Sequence, residues 1–110
     1  MIPIGDKKMK EEKRNIIYKY KIPAPNKHGQ IKIEVEGWDF EKALHVGEQD
    51  GDLYLWAIMR KIGEHQKGHI YLTILPTGLV MFDERILDQH IGTVQMKDGL
   101  VFHVFTIDSY

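Results

Sequence analysis

Aromatic and basic side chains alternate over a short stretch of the chain, where Tyr18, Lys19, Tyr20 and Lys21 follow one another directly. Aromatic rings offer flat faces on which a nucleobase can stack, and lysine ammonium groups form charge-assisted hydrogen bonds with phosphate. The pattern indicates a binding site for a nucleotide-like small molecule. The residues predicted to form it are either Tyr18 and Tyr20 or Trp56 for stacking, Lys19, Lys21, Arg60 and Arg85 for anion contacts, and the turn Pro76–Gly78, with Thr77 and Gly78, as the lip of a pocket.

The same residue types also have a purely structural interpretation. Aromatic residues on strands commonly pack in the core or against a cross-strand neighbour, and lysines commonly keep strand edges soluble. Both interpretations stay open at the level of the sequence.

Six histidines raise the question of a metal site. Only His65 and His69 are close in sequence, and their spacing would place both side chains on one face only in a helix, whereas the glycines around them favour a loop. We therefore predict no metal site among His28, His45, His65, His69, His90 and His103. The histidine between Phe102 and Val104 is interpreted as a core or interface residue, and the carboxylates of Asp83, Glu84 and Asp88 as a solvated face.

The sequence lacks the residue patterns of common enzymes. The only serine is Ser109, close to the end of the chain, so a Ser-His-Asp triad has no plausible nucleophile. There is no cysteine, which excludes disulfides, thiolate metal sites and thiol nucleophiles. Each glycine stands singly in a turn and not in a phosphate-binding loop. We predict a non-catalytic protein that needs no cofactor.

Charge and hydropathy limit the class of partner. Fifteen basic and sixteen acidic residues leave a formal charge of −1, which provides no global field for gripping an extended nucleic acid. The first residues lack the apolar stretch of a signal peptide, and no apolar segment is long enough to span a bilayer. The prediction is a soluble cytoplasmic protein with no membrane partner.

The elements that must position the candidate residues follow from the hydrophobic pattern. Period-two alternation, apolar runs and turn residues predict strands at 15–22, 30–36, 43–48, 53–59, 69–75, 91–97 and 100–107. The Asp-Gly pairs at 50–51 and 98–99 predict two hairpins, and the strands at 53–59 and 69–75 are predicted to form a third. The segment Leu79–Gln89 fits either a helical turn or a strand.

These elements predict one domain. We expect an all-β, mostly antiparallel sandwich or small barrel of six or seven strands with at most one short helix, over residues 15–110. Residues 1–14 form a charged arm before it. The strand at 53–59 is apolar on both faces, as a central strand covered on both sides would be. A chain of this size has material for about one core, so we predict that some apolar surface is buried between subunits of a homo-oligomer.

Three segments resemble a family of small proteins encoded in tailed-phage and prophage genomes. They are IIYKYKIP at residues 16–23, LYLWAIM at residues 53–59 and IGTVQMKDGLVFHVFTI at residues 91–107. The resemblance implies a phage gene product. Members of that family tend to carry Thr-Gly-His where this chain has Thr77, Gly78 and Leu79, so a function of that histidine would be missing here.

Small phage proteins without catalytic residues often act stoichiometrically in the infected cell. The favoured hypothesis is an accessory protein that sequesters a nucleotide-derived molecule, such as a host defence signal. The alternatives are a stoichiometric inhibitor of a host protein, which needs an exposed patch with aromatic anchors, and a self-assembling virion component.

Overall fold

The computed structural model describes residues 15–78 and 84–108, and the structural statements below concern these residues. Its elements are β1 (Asn15–Lys21), β2 (Gln30–Glu36), β3 (Trp38–Gln49), β4 (Asp52–Lys61), β5 (Lys67–Pro76), a 3-10 helix (Glu84–Gln89), β6 (His90–Gln95) and β7 (Val101–Ile107).

The seven strands form two antiparallel sheets. One sheet has three strands in the order β1-β4-β3, and the other has four in the order β2-β5-β7-β6. The predicted all-β antiparallel class is therefore confirmed. Of the two architectures left open, the described strands form two separate sheets and not a closed barrel.

The core lies between the two sheets and is built mainly by β4 and β5. Both strands bury every second residue, as a strand with one face on a core does. The largest side chains without solvent contact are Leu55 and Met59 on β4, Ile70 and Leu72 on β5, and Val104 on β7. Burying a side chain of this size stabilises the fold by about 1.5–3 kcal/mol. These residues belong to one hydrophobic cluster, which fixes the inward face of both sheets.

The two hairpins predicted from Asp-Gly pairs are confirmed. Asp50 and Gly51 have positive φ values of 56° and 88° and join β3 to β4, as a tight two-residue turn requires. In the second hairpin, Met96 N–H donates to Leu100 C=O at 2.7 Å and closes the turn between β6 and β7.

The third predicted hairpin, between β4 and β5, is wrong. β4 is paired with β1 on one side and β3 on the other, so both of its edges are occupied within its own sheet. The chain after β4 instead passes to the other sheet, where β5 lies between β2 and β7. Main-chain hydrogen bonds from Gly37 to Gln66 (2.8 Å) and from Ile62 to Gly37 (2.9 Å) fasten this passage.

Two further expectations are refined by the structure. β4 is central in its sheet as predicted, but its second face is half-buried at Tyr54, Trp56 and Ile58 and not fully covered.

The segment Leu79–Gln89 fitted either a helical turn or a strand, and its part at Glu84–Gln89 is a 3-10 helix. Residues 79–83 and the predicted arm at 1–14 lie outside the described residues. No helix in the described part of the chain is long and apolar enough to cross a membrane.

The backbones of the two sheets approach each other closely where β3 and β5 begin. A Cβ atom placed on Gly68 would collide with the carbonyl oxygen of Trp38 and lie 2.9 Å from Cα of Asp39. Both neighbours are backbone atoms and cannot rotate away. Glycine at position 68 therefore lets the end of one sheet rest directly on the other.

We expect Gly68→Ala to lower the free energy of unfolding by about 1–3 kcal/mol, because the added methyl group forces the two backbones apart. Gly63→Ala is the matched control, since its Cβ would meet only the flexible side chain of Gln66 at 3.3 Å. Urea denaturation of both variants measures the effect. Equal stability of the two variants would contradict this account of Gly68.

Candidate functional site

The outward surface of the three-stranded sheet carries a group of aromatic, basic and apolar side chains, which we call the aromatic face. Its position follows from the alternation of β4, whose other face is buried in the core. The residue pairing of β4 with β1 and β3 shows which side chains of those two strands lie on the same outward face. The aromatic face consists of Ile17, Lys19 and Lys21 on β1, Tyr54, Trp56 and Ile58 on β4, and His45 on β3.

Lys19 and Trp56 form the centre of the aromatic face. They are direct cross-strand partners, and the Lys19 ammonium lies 5.9 Å from the Trp56 ring centroid and 4.7 Å from that of Tyr54. The His45 and Tyr54 rings lie 5.4 and 6.4 Å from the Trp56 ring. A cation within about 6 Å of an aromatic ring is attracted by the electron-rich face of that ring. The centre therefore combines three neighbouring rings, tilted by 45° and 53° to the Trp56 ring, with a positive charge.

The positive charge of Lys19 is not compensated by a carboxylate among the described residues. Its ammonium donates a hydrogen bond to the neutral amide oxygen of Gln49 at 2.8 Å. Lys21, further along the same face, has Asp52 at 3.5 Å, and both side chains are largely exposed. An exposed pair of this kind contributes little stability and can exchange partners. Both lysines can thus turn towards an anion.

Tyr18 and Tyr20 lie on the opposite side of β1 from the two lysines. Tyr20 packs against the core, and its hydroxyl is buried with no hydrogen-bond partner among the described residues. Burial, assisted by the nearby Tyr18, raises the pKa of Tyr20 to about 12. Tyr18 is partly exposed, but its ring meets Trp38 edge to face at 5.3 Å. Neither ring shares a surface with Trp56.

Arg60 lies on the outward side of β4 but is already paired. Its guanidinium contacts Asp39 at 2.8 Å and Glu41 at 3.1 Å, both on β3. An arginine held by two carboxylates offers little net charge to an incoming phosphate. Arg60 therefore differs from Lys19 in its ion pairing, although both residues belong to the same sheet.

The remaining predicted residues belong to the four-stranded sheet and its connections. Thr77 and Gly78 follow β5, and the Thr77 hydroxyl lies 2.8 Å from Nε2 of His103. The other ring nitrogen of His103 lies 2.9 Å from the Thr93 hydroxyl, so threonines hold both sides of the half-buried imidazole. Arg85 is exposed in the 3-10 helix.

Of the nine predicted residues, the structure thus brings Lys19, Lys21 and Trp56 together on one exposed surface. Sequence reasoning left Tyr54 and His45 out of the predicted site. Tyr54 could have been found, because it is two residues from Trp56 on the same strand and must share its face. His45 could not, since two register shifts on β3 decide which of its residues meets Trp56.

A second candidate is a cleft of about 510 Å³ where the starts of β3 and β5 meet the end of β7. Its charged and aromatic lining includes Asp39, Glu41, Lys67, His69, Tyr71 and Asp108. Several of these groups already have partners. Asp39 and Glu41 bind Arg60, and a hydrogen bond from Lys67 at 2.8 Å lowers the pKa of Glu34 beside the cleft.

In the described part of the chain no three histidine, cysteine or acidic side chains are arranged to hold a metal ion. Asp39, Glu41 and Lys67 of the cleft are already engaged in ion pairs with Arg60 and Glu34. The aromatic face is the stronger candidate because its rings face outward and its Lys19 charge has no carboxylate partner among the described residues.

Tyr20 gives a pH-dependent prediction. Its pKa is about 12 in the folded protein against an ordinary value of 10.0, so the unfolded chain loses the proton first as the pH rises. Its contribution to stability is present below pH 10 and falls away between about pH 10 and 12.

We expect Tyr20→Phe to fold normally at pH 8 and to lose less stability than the wild type between pH 8 and 11.5. Chemical denaturation at both values measures the difference, which isolates Tyr20 from lysines that titrate in both proteins. An alkaline loss equal to that of the wild type would refute the assignment.

Comparisons with known proteins identify a family but not an activity. A family model described as "Domain of unknown function (DUF7352)" matches residues 13–109, which is nearly the whole chain. No curated protein and no solved structure shows a significant match.

Proposed function

The chain belongs to the DUF7352 family, and we propose that it is a non-catalytic binding protein that sequesters a nucleotide-like small molecule on its aromatic face. One observation carries this proposal. Lys19, uncompensated by a described carboxylate, lies beside the half-buried, outward-facing rings of Trp56 and Tyr54, with Lys21 further along the same face of the strand.

The arrangement suits a ligand with a base at one end and an anionic group at the other. Trp56 supplies a ring on which a base stacks, and Lys19 beside it supplies the first ammonium group. Lys21 lies two residues further along an extended strand, which corresponds to about 7 Å. A phosphate attached to the stacked base comes within reach of both lysines.

The biological setting of the proposal rests on the resemblance to phage and prophage proteins. We propose that the protein acts in the cytoplasm of the infected cell and holds a nucleotide-derived host defence signal. Stoichiometric capture needs no catalytic group, only affinity and enough protein. The fold supports the proposal, because Lys19 and Lys21 on β1 and Trp56 on β4 lie on two neighbouring strands of one sheet.

The proposal predicts that the protein retains or binds nucleotides through Trp56 and Lys19. Native mass spectrometry of gently purified protein should release a nucleotide, and calorimetry with mononucleotides and cyclic dinucleotides should identify the tightest binder. Trp56→Leu should weaken its binding about five- to hundredfold, as the loss of about 1–3 kcal/mol of stacking implies. Trp56→Phe should keep part of the affinity because a ring remains.

The charge contribution has a matched control. Lys19→Gln should weaken binding, whereas Lys32→Gln should not, because Lys32 is an equally solvent-exposed lysine on β2 of the other sheet. Circular dichroism spectra of all variants should match the wild type. Absence of any nucleotide binding, or equal effects of Lys19→Gln and Lys32→Gln, would refute the proposed site.

A second function, inhibition of a host protein, is favoured by one further observation. The aromatic face is open, and exposed apolar side chains lie at and beside it: Ile17 is 62% exposed, and Leu44, on β3, is 43% exposed. Aromatic anchors surrounded by apolar and charged residues are typical of the hot spots of protein interfaces.

If a host protein is the target, one partner should co-purify at a fixed ratio with the tagged protein. Leu44→Glu should release that partner, and Leu100→Glu, a similarly exposed leucine in the β6–β7 turn of the other sheet, should not. Capture that is equal for both variants would argue against the aromatic face as an inhibitory surface.

A further inference from the structure

We propose that β1 is the docking edge for a second copy of this chain. In this dimer the two β1 strands pair antiparallel about Tyr18, and the two three-stranded sheets join into one sheet of six strands. The inference concerns the main chain of β1 and is independent of which ligand the aromatic face binds.

The outer edge of β1 presents main-chain groups that pair with none of the described strands. Among the described strands, β1 pairs with β4 only and is the outermost strand of its sheet. Ile22 N–H donates to Leu53 C=O at 2.8 Å, which fixes the phase of the ladder. In an antiparallel pair successive residues alternate between facing the partner strand and facing away. Asn15, Ile17, Lys19 and Lys21 therefore direct their N–H and C=O groups away from β4.

The other edges of the two sheets carry features that hinder pairing with another molecule. β3 has two register shifts and packs beside β6. β6 has an irregularity between His90 and Gly92. β2 carries a row of charged side chains, Lys32, Glu34 and Glu36. Bulges, coverage and edge charges are the usual means by which proteins block strand addition.

β1 is different because it is regular over its whole length. Its seven residues pair with β4 without a bulge, and it contains no proline. Its middle exposes two large side chains to solvent, Ile17 at 62% and Tyr18 at 39%. An extended and regular edge of this kind is a template for a further strand. Its two lysines, Lys19 and Lys21, lie on the aromatic face with Trp56 and Tyr54.

Self-complementarity selects the second copy as the occupant and Tyr18 as the centre. When two β1 strands pair antiparallel, the outward N–H and C=O groups of the two copies face each other if the two-fold axis passes through Ile17, Tyr18 or Lys19. A centre at Lys19 sets two lysines directly opposite each other, which is unfavourable. A centre at Ile17 leaves the end of β1 unpaired.

The register centred on Tyr18 uses the whole strand. Lys19 then faces Ile17 of the second copy, and Lys21 faces Asn15 of the second copy. The two Tyr18 rings meet at the axis. Every outward N–H and C=O of β1 gains a partner, and the exposed Ile17 and Tyr18 become covered.

The absence of native cysteine allows a clean cross-linking test. In the proposed register the two residues 18 form a non-hydrogen-bonded pair with Cα atoms about 4.5 Å apart, which is within disulfide range. Tyr18→Cys should therefore form a covalent dimer on mild oxidation. Ile17→Cys and Lys19→Cys should each cross-link poorly alone but efficiently when mixed, because residue 17 faces residue 19 of the second copy. Leu100→Cys, also exposed, is the control for random collision.

Solution mass provides the second test. Light scattering during gel filtration should give about twice the 12.9 kDa chain mass at tens of micromolar protein. Ile17→Pro should give a monomer, because it removes an N–H that points away from β4, whereas Ile17→Thr keeps that N–H and should remain a dimer.

Three results of these tests would contradict the proposed dimer. A wild-type protein that is monomeric up to 200 µM, or Tyr18→Cys that cross-links no faster than Leu100→Cys, would overturn the proposal. A monomer that binds an extended host peptide along β1 would also overturn it, in favour of a different occupant. Tyr18→Glu should also give a monomer, because the proposed register would set two carboxylates directly opposite each other. Nucleotide titration of this monomer separates loss of the dimer from the proposed ligand binding, since Tyr18 lies on the opposite side of β1 from the aromatic face.

Discussion

The structure depends on burying one face of each sheet against the other. Leu55 and Met59 from one sheet and Ile70 and Leu72 from the other lie fully within this layer. Because side chains alternate along a strand, their burial determines which residues of every paired strand face outward. The aromatic face is thus a consequence of the core: Trp56 faces outward because its neighbours Leu55 and Ala57 are buried. A shift of β4 by one residue would place Trp56 in the core and lose the site.

Alternation within one strand could be predicted from the sequence, and pairing between strands was harder to predict. β2 and the two Asp-Gly hairpins follow from local patterns and are found where expected. The β4–β5 hairpin failed because apolar runs next to each other in sequence pair only if an edge is free, and β1 and β3 occupy both edges of β4.

The same limit applies to the site. The opposite orientations of Tyr20 and Lys19 follow from period two alone. The ion pairs of Arg60 depend on its register opposite Asp39, which no local pattern reveals. Residues on one strand could therefore be assigned to a face, whereas their cross-strand partners could not.

The aromatic face and the edge of β1 are adjacent parts of one sheet, and they make different demands on the same strand. The face uses side chains that point to solvent, and the edge uses main-chain groups in the plane of the sheet. Because these directions are perpendicular, Lys19 can contact a ligand while its N–H and C=O groups take part in strand pairing. A dimer of this kind would bring two aromatic faces onto one continuous surface.

The passages of the chain between the two sheets also bear on how the protein folds. The chain changes sheet between β1 and β2, between β2 and β3, and again between β4 and β5. The three-stranded sheet therefore consists of two separate stretches of sequence, with β2 between them. The pairing of β1 with β4 joins residues that are 33 to 45 positions apart, from Lys21 and Tyr54 to Asn15 and Arg60. Topologies rich in such distant contacts fold slowly, on roughly the millisecond-to-second scale.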